Sequence, residues 1–169
     1  PVHRWRFSNP LGPAAGALVP DEVGDADAVV RGFGARFTGG KIELPGGVSG
    51  SAAYIDLPNG IISTNGTAKG GSGQVTVEGW YTHRGNHNWS RIFDFGSTTS
   101  GELPDVGGAG NGFDVFLFSA QNGGDMTRKR LQFLNNDPVG GGVGLNQYLS
   151  LIPLWPSRAR GKEITVVYP

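Results

Sequence analysis

The reactive side chains of this chain are three histidines, His3, His83 and His87, and 14 carboxylates. His83 and His87 are four residues apart, which on a helix would turn both imidazoles toward one zinc ion. They flank the polar stretch Arg84-Gly85-Asn86, which reads as the tip of a hairpin, so the helical argument fails and turn histidines are the default. Asp21, Glu22, Asp25 and Asp27 form an acidic loop. Calcium takes oxygen ligands from such loops, which makes Asp21 and Asp25 the candidate metal ligands. Their spacing is not that of an EF-hand, and a solvated acidic loop is the competing reading. Sandwich-fold glycosidases carry two carboxylates two or four positions apart on one strand, so that both face the cleft. None of Glu22, Glu43, Glu78, Glu102 and Glu163 is paired with another acid in this way, and the same-face neighbours of Glu78 are Thr76 and Trp80. With no cysteine there are no disulfides, thiolate metal sites or thiol nucleophiles.

Two local matches carry no function. Asp94-Phe95-Gly96 is a kinase tripeptide without the glycine-rich loop, the strand lysine or the His-Arg-Asp loop that give it meaning. Gly140-Gly141-Gly142-Val143-Gly144 lacks the Gly-Lys-Ser/Thr of a phosphate loop and reads as a long, glycine-rich loop. Asn65-Gly66-Thr67 and Asn88-Trp89-Ser90 fit the glycosylation sequon, which matters only in a secreted eukaryotic protein.

The elements that would position these groups are strands. Val75, Val77, Gly79 and Tyr81 alternate with Thr76, Glu78, Trp80 and Thr82; Trp89, Arg91, Phe93 and Phe95 alternate with Ser90, Ile92 and Asp94. Period-two alternation belongs to strands. Large apolar groups on both sides predict strands between two covered faces, or with one face lined by a groove. Arg91 and Asp94 fall on opposite parity and are expected not to touch. Further strands are expected over His3 to Phe7, Val29 to Phe33, Ala35 to Phe37, Lys41 to Leu44, Ala53 to Leu57, Phe113 to Phe118, Arg130 to Leu134 and Ile164 to Tyr168. Ile61-Ile62-Ser63 reads as a helical turn, and Asn122-Gly123-Gly124-Asp125 as a hairpin turn. Gly and Pro total 41 of 169 residues (30 and 11), placed between the apolar runs as turns and bulges. The expected fold is all-β, a β-sandwich or jelly roll.

Lys plus Arg and Asp plus Glu are both 14, so charge makes no case for nucleic acid or an anionic membrane as main partner. The one basic cluster, Arg128-Lys129-Arg130, reads as a solvated strand edge. No apolar run approaches the roughly 20 residues of a membrane span. The opening Pro1-Val2-His3 suggests a piece of something longer.

The run Val77-Glu78-Gly79-Trp80 followed by Asn88-Trp89-Ser90-Arg91-Ile92-Phe93-Asp94-Phe95-Gly96 resembles the concanavalin A-like, laminin G-like jelly-roll domains of secreted multidomain proteins. His3 to Phe7 resembles that family's first strand. Phe37 to Gly46 with Tyr54 to Pro58 resembles its second and third, and Glu163 to Tyr168 its central strand. The resemblance covers nearly the whole chain as a single domain, 1–169. It implies a two-sheet antiparallel sandwich and a non-catalytic recognition module, extracellular or on the cell surface. Its ligand would be glycan or protein, with calcium in support. Binding would use rim loops at Arg84 to Trp89, Ser97 to Gly112 and Gly140 to Tyr148. Arg84, His87, Trp89, Tyr148 and Trp155 are then the ligand candidates, although the place of Trp89 at a strand start favours the core. In that family the central strand leads into a Tyr-Val-Asp-Gly-like turn and closing strands. This chain stops at Pro169, so another chain, or sequence beyond it, is expected to supply them. A structural subunit completed in that way is one alternative, and a glycoside hydrolase of the same fold is the other.

Overall fold

The computed structural model describes residues 2–48, 51–58, 60–62, 75–84, 90–98, 112–121, 129–135 and 162–168. Every regular element among them is a strand, and every ladder is antiparallel. They group into two compact units, one within 2–62 and one within 75–168.

The first unit is built from short strands because glycines and prolines interrupt its apolar runs. β1 (Gly12–Pro13), β4 (Arg36–Phe37) and β5 (Ile42–Glu43) form one sheet in the order β1-β4-β5; β2 (Leu18–Val19), β3 (Ala28–Arg31) and β6 (Tyr54–Asp56) form another, ordered β2-β3-β6. Alternation along β3 buries Ala28 and Val30 and turns Arg31 out to Asp56, at 3.0 Å. Val30 joins Ala14, Val19, Ala28, Ala35, Phe37 and Ala53 in one buried cluster, flanked by Trp5, Phe7 and Ile55. β3 ends at Gly32, whose φ of 74° and tight seat against Ala52 exclude a side chain: a Cβ there would lie 2.2 Å from the Ala52 carbonyl oxygen. Residues 60–62 form a turn, where the sequence suggested a helical one. The expected first strand, His3 to Phe7, has no ladder. It is a strap whose backbone is held at Arg4 by the Asp21 side chain and the Glu22 amide.

The second unit holds the longer strands: β7 (Val75–Tyr81), β8 (Arg91–Thr98), β9 (Gly112–Ser119), β10 (Arg130–Asn135) and β11 (Lys162–Tyr168). The hairpin expected between the two alternating runs does not form: among the described ladders β7 pairs with β11, and β8 pairs with β9 in the order β10-β9-β8. The reason is the apolar side of each run. Tyr81 of β7 meets Phe118 of β9 edge to face at 6.1 Å, and Phe118 stacks on Phe93 of β8 at 6.0 Å. Edge-to-face and offset contacts of this kind are the favoured arrangements of aromatic pairs. Phe118 and Leu131 are the buried centre, with Tyr81, Ile92, Phe93 and Phe116 around them.

Candidate functional site

β7 has one covered side and one open side. Val75, Val77, Gly79 and Tyr81 are half-buried, while Thr76, Glu78 and Trp80 are exposed. Trp80, the next-to-last residue of β7, is 68% exposed, an unusual state for an indole within a strand. The alternation of exposure continues past the strand end, through Thr82 and Arg84. The open side therefore reads Thr76, Glu78, Trp80, Thr82, Arg84, spaced by about 6.6 Å per pair of residues within the strand. The register of β11 sets Glu163 opposite Trp80 and Thr165 opposite Glu78. Glu163 is thus the diagonal neighbour of Glu78, at about 7–8 Å between backbones. An apolar ring is flanked along its own strand by an acceptor, hydroxyls and a guanidinium. A ligand with an apolar face and polar edges can stack on the ring and bond at its rim.

Of the residues singled out for binding, Arg84 lies on this face. His87, Trp89, Tyr148 and Trp155 lie outside the described residues, as do most of the three rim loops. Trp80 was missed because its parity, read alone, fitted a covered second face as well as an open one.

Asp21 and Asp25 part company. Asp25 is exposed, whereas the Asp21 side chain is fully buried. Both Asp21 oxygens are taken. Oδ1 accepts from the amides of Arg4 (2.8 Å) and Val23 (3.2 Å); Oδ2 accepts from the Ala26 amide (3.2 Å) and bonds His3 Nδ1 (2.5 Å). Burial alone would raise this carboxyl. The Arg4 amide, the His3 ring and the Gly24 and Val23 amides outweigh burial and hold it well below the usual carboxylate range. No group of three or more His, Asp or Glu side chains is gathered as a cation would require, among the described residues. In this arrangement Asp21 organises its own chain.

Arg91 and Asp94 do touch, against the expectation from parity: Nε and Oδ2 are 3.0 Å apart. The cause is a bulge. The ladder shifts between Arg91, opposite Ser119, and Phe93, opposite Phe118; Ile92 and Phe93 both pack into the Phe118 cluster. One extra residue on the inner side brings Arg91 and Asp94 to the same outer side. Burial pushes the Asp94 carboxyl up, and the Arg91 guanidinium partly offsets this. Asp94 and Glu78 belong to different sheets, and each keeps its own surroundings.

Compared with protein-family models, curated proteins and solved structures, the chain matches none. The functional reading therefore rests on the residues themselves.

Proposed function

We propose that this chain is a non-catalytic glycan-recognition module of a secreted or cell-surface protein. In this reading the fold is a concanavalin A-like, two-sheet jelly roll, and the open side of β7 is its binding face. The observation that carries the proposal is Trp80, 68% exposed between Glu78 and Thr82. A pyranose offers an apolar C–H face to an indole and hydroxyls to Glu78, Thr76 and Thr82, and it needs no net charge on the protein. The role given to calcium at Asp21 and Asp25 is not carried forward, because the Asp21 oxygens already serve donors of the chain. The test is a glycan array followed by titration calorimetry on the best ligand. Trp80→Ala should weaken binding about thirtyfold, the effect of losing roughly 2 kcal/mol at an aromatic anchor. It should leave the melting temperature nearly unchanged, since the ring is exposed. Binding that survives Trp80→Ala intact sinks the proposal.

A second reading has one observation behind it: the register that sets Glu163 diagonal to Glu78, beside Trp80. Two carboxylates flanking a sugar can serve as acid and nucleophile or base of a glycoside hydrolase. A reducing-end assay across polysaccharides decides between the readings. Hydrolysis abolished by Glu78→Gln favours the enzyme, and binding without hydrolysis favours the module.

A further inference from the structure

The start of the chain is fastened around one buried carboxylate, Asp21, with loop and ring contacts beside it. Residues 2–7 form no ladder, yet their backbone is gripped at Arg4 on both sides. The Arg4 amide donates to Asp21 Oδ1 at 2.8 Å, and the Arg4 carbonyl accepts from the Glu22 amide at 2.9 Å. Trp5 Nε1 donates to the Ala26 carbonyl at 2.9 Å, and the His3 ring stacks on Trp5 with centroids 5.7 Å apart. Arg6 pairs with Glu22 at 3.0 Å. The same Asp21 carboxylate takes the Val23 and Ala26 amides, so one buried group shapes the loop and holds the strap at once. Gly24 closes the arrangement: a Cβ there would lie 2.7 Å from His3 Nδ1, 2.8 Å from Asp21 Oδ2 and 2.9 Å from the Val2 carbonyl oxygen.

The strap also carries strain. Phe7 has φ of 56°, in the left-handed region where a bulky side chain is disfavoured, while its ring packs on the buried cluster. Such a conformation persists only while the contacts around it hold. These backbone hydrogen bonds beneath the strap use none of its atoms: the Val30 amide donates to Ala17, Gly16 to Val30, and Ala14 to Ala35. Strap and sheet share apolar contacts but no backbone bond.

We infer that Asp21 is the latch of a separately releasable strap, and that residues 2–7 leave the core of the first unit as one piece when that carboxylate no longer holds them. The β2-β3-β6 sheet stays folded when they do. Release uncovers the apolar strip that Trp5 and Phe7 cover, which makes the latch a conformational device built into the fold.

Amide hydrogen exchange, read residue by residue by NMR, tests the inference. In Asp21→Asn, which keeps the shape and removes the charge, protection at Glu22 and Arg4 should fall at least about tenfold, and Val30 should stay within about twofold. Retained protection at Glu22 and Arg4 overturns the latch; parallel loss at Val30 overturns the separate strap. Should this variant fail to fold, the native chain still decides. Its Arg4 and Glu22 amides should exchange at least about tenfold faster than Val30, and equal rates overturn the inference.

Discussion

Two aspartates of this chain are moved in opposite directions by their surroundings, and the difference has a consequence in acid. The folded Asp21 carboxyl titrates below its unfolded value, so its contribution to stability is present above about pH 4 and is lost as pH falls further. The folded Asp94 carboxyl titrates above its unfolded value, so its contribution is complete below about pH 4 and is lost as pH rises through the folded value. His3 and Asp27 border the Asp21 carboxylate and amide, Asp27 by accepting the Asp21 amide at 2.8 Å, and Glu22 pairs with Arg6 beside them. As pH falls below about 4, the ordinary carboxylate value, the Trp5 environment should change before that of Phe93. Near-ultraviolet dichroism and side-chain NMR read the two separately. Removing the Arg91 guanidinium by Arg91→Ala should raise the Asp94 carboxyl further, and a carboxyl titration by NMR gives the sign directly.

At the scale of elements, the turn after β3 is the least forgiving point. Gly32 combines φ of 74° with backbone contact to Ala52, so Gly32→Ala strains the chain and drives a methyl into a carbonyl. It should cost at least about 2 kcal/mol, close to the cost of truncating fully buried Val30 to alanine. Chemical denaturation of both variants checks the comparison, and a Gly32→Ala protein as stable as the parent contradicts it. Strand existence was legible where alternation is long: β7, β9 and β10 fall where period two predicts them. Strand pairing was not. The partner of Val75–Tyr81 begins at Lys162, and nothing local in either run encodes a contact over such a distance. The bulge at Ile92 was also hidden, because an inserted residue with an apolar side chain preserves the look of alternation while reversing parity after it. The strap was misread as a strand for a similar reason: Trp5 and Phe7 alternate correctly, but an aspartate side chain replaces the ladder partner. For the site, the sequence pointed to Arg84 but not to Trp80, whose exposure depends on what covers the sheet.

For the molecule as a whole, balance of charge separates the ways it could hold a ligand. With 14 basic and 14 acidic side chains there is no long-range field to gather a polyanion. Stacking on Trp80, with hydrogen bonds to Glu78 and Thr82, acts at contact distance, where added salt screens little. A charge-driven complex built on Arg84, Lys129 or Arg130 would release counterions on binding, and its affinity would fall steeply with ionic strength, as it does for polyanion binders generally. Affinity for a neutral oligosaccharide should therefore change by less than about twofold between roughly 50 and 200 mM salt. Calorimetry at the two concentrations measures this, with Trp80→Ala as the control for stacking. A tenfold loss over that range, insensitive to Trp80→Ala, would move the binding face from β7 to the basic residues and with it the class of ligand from neutral to anionic.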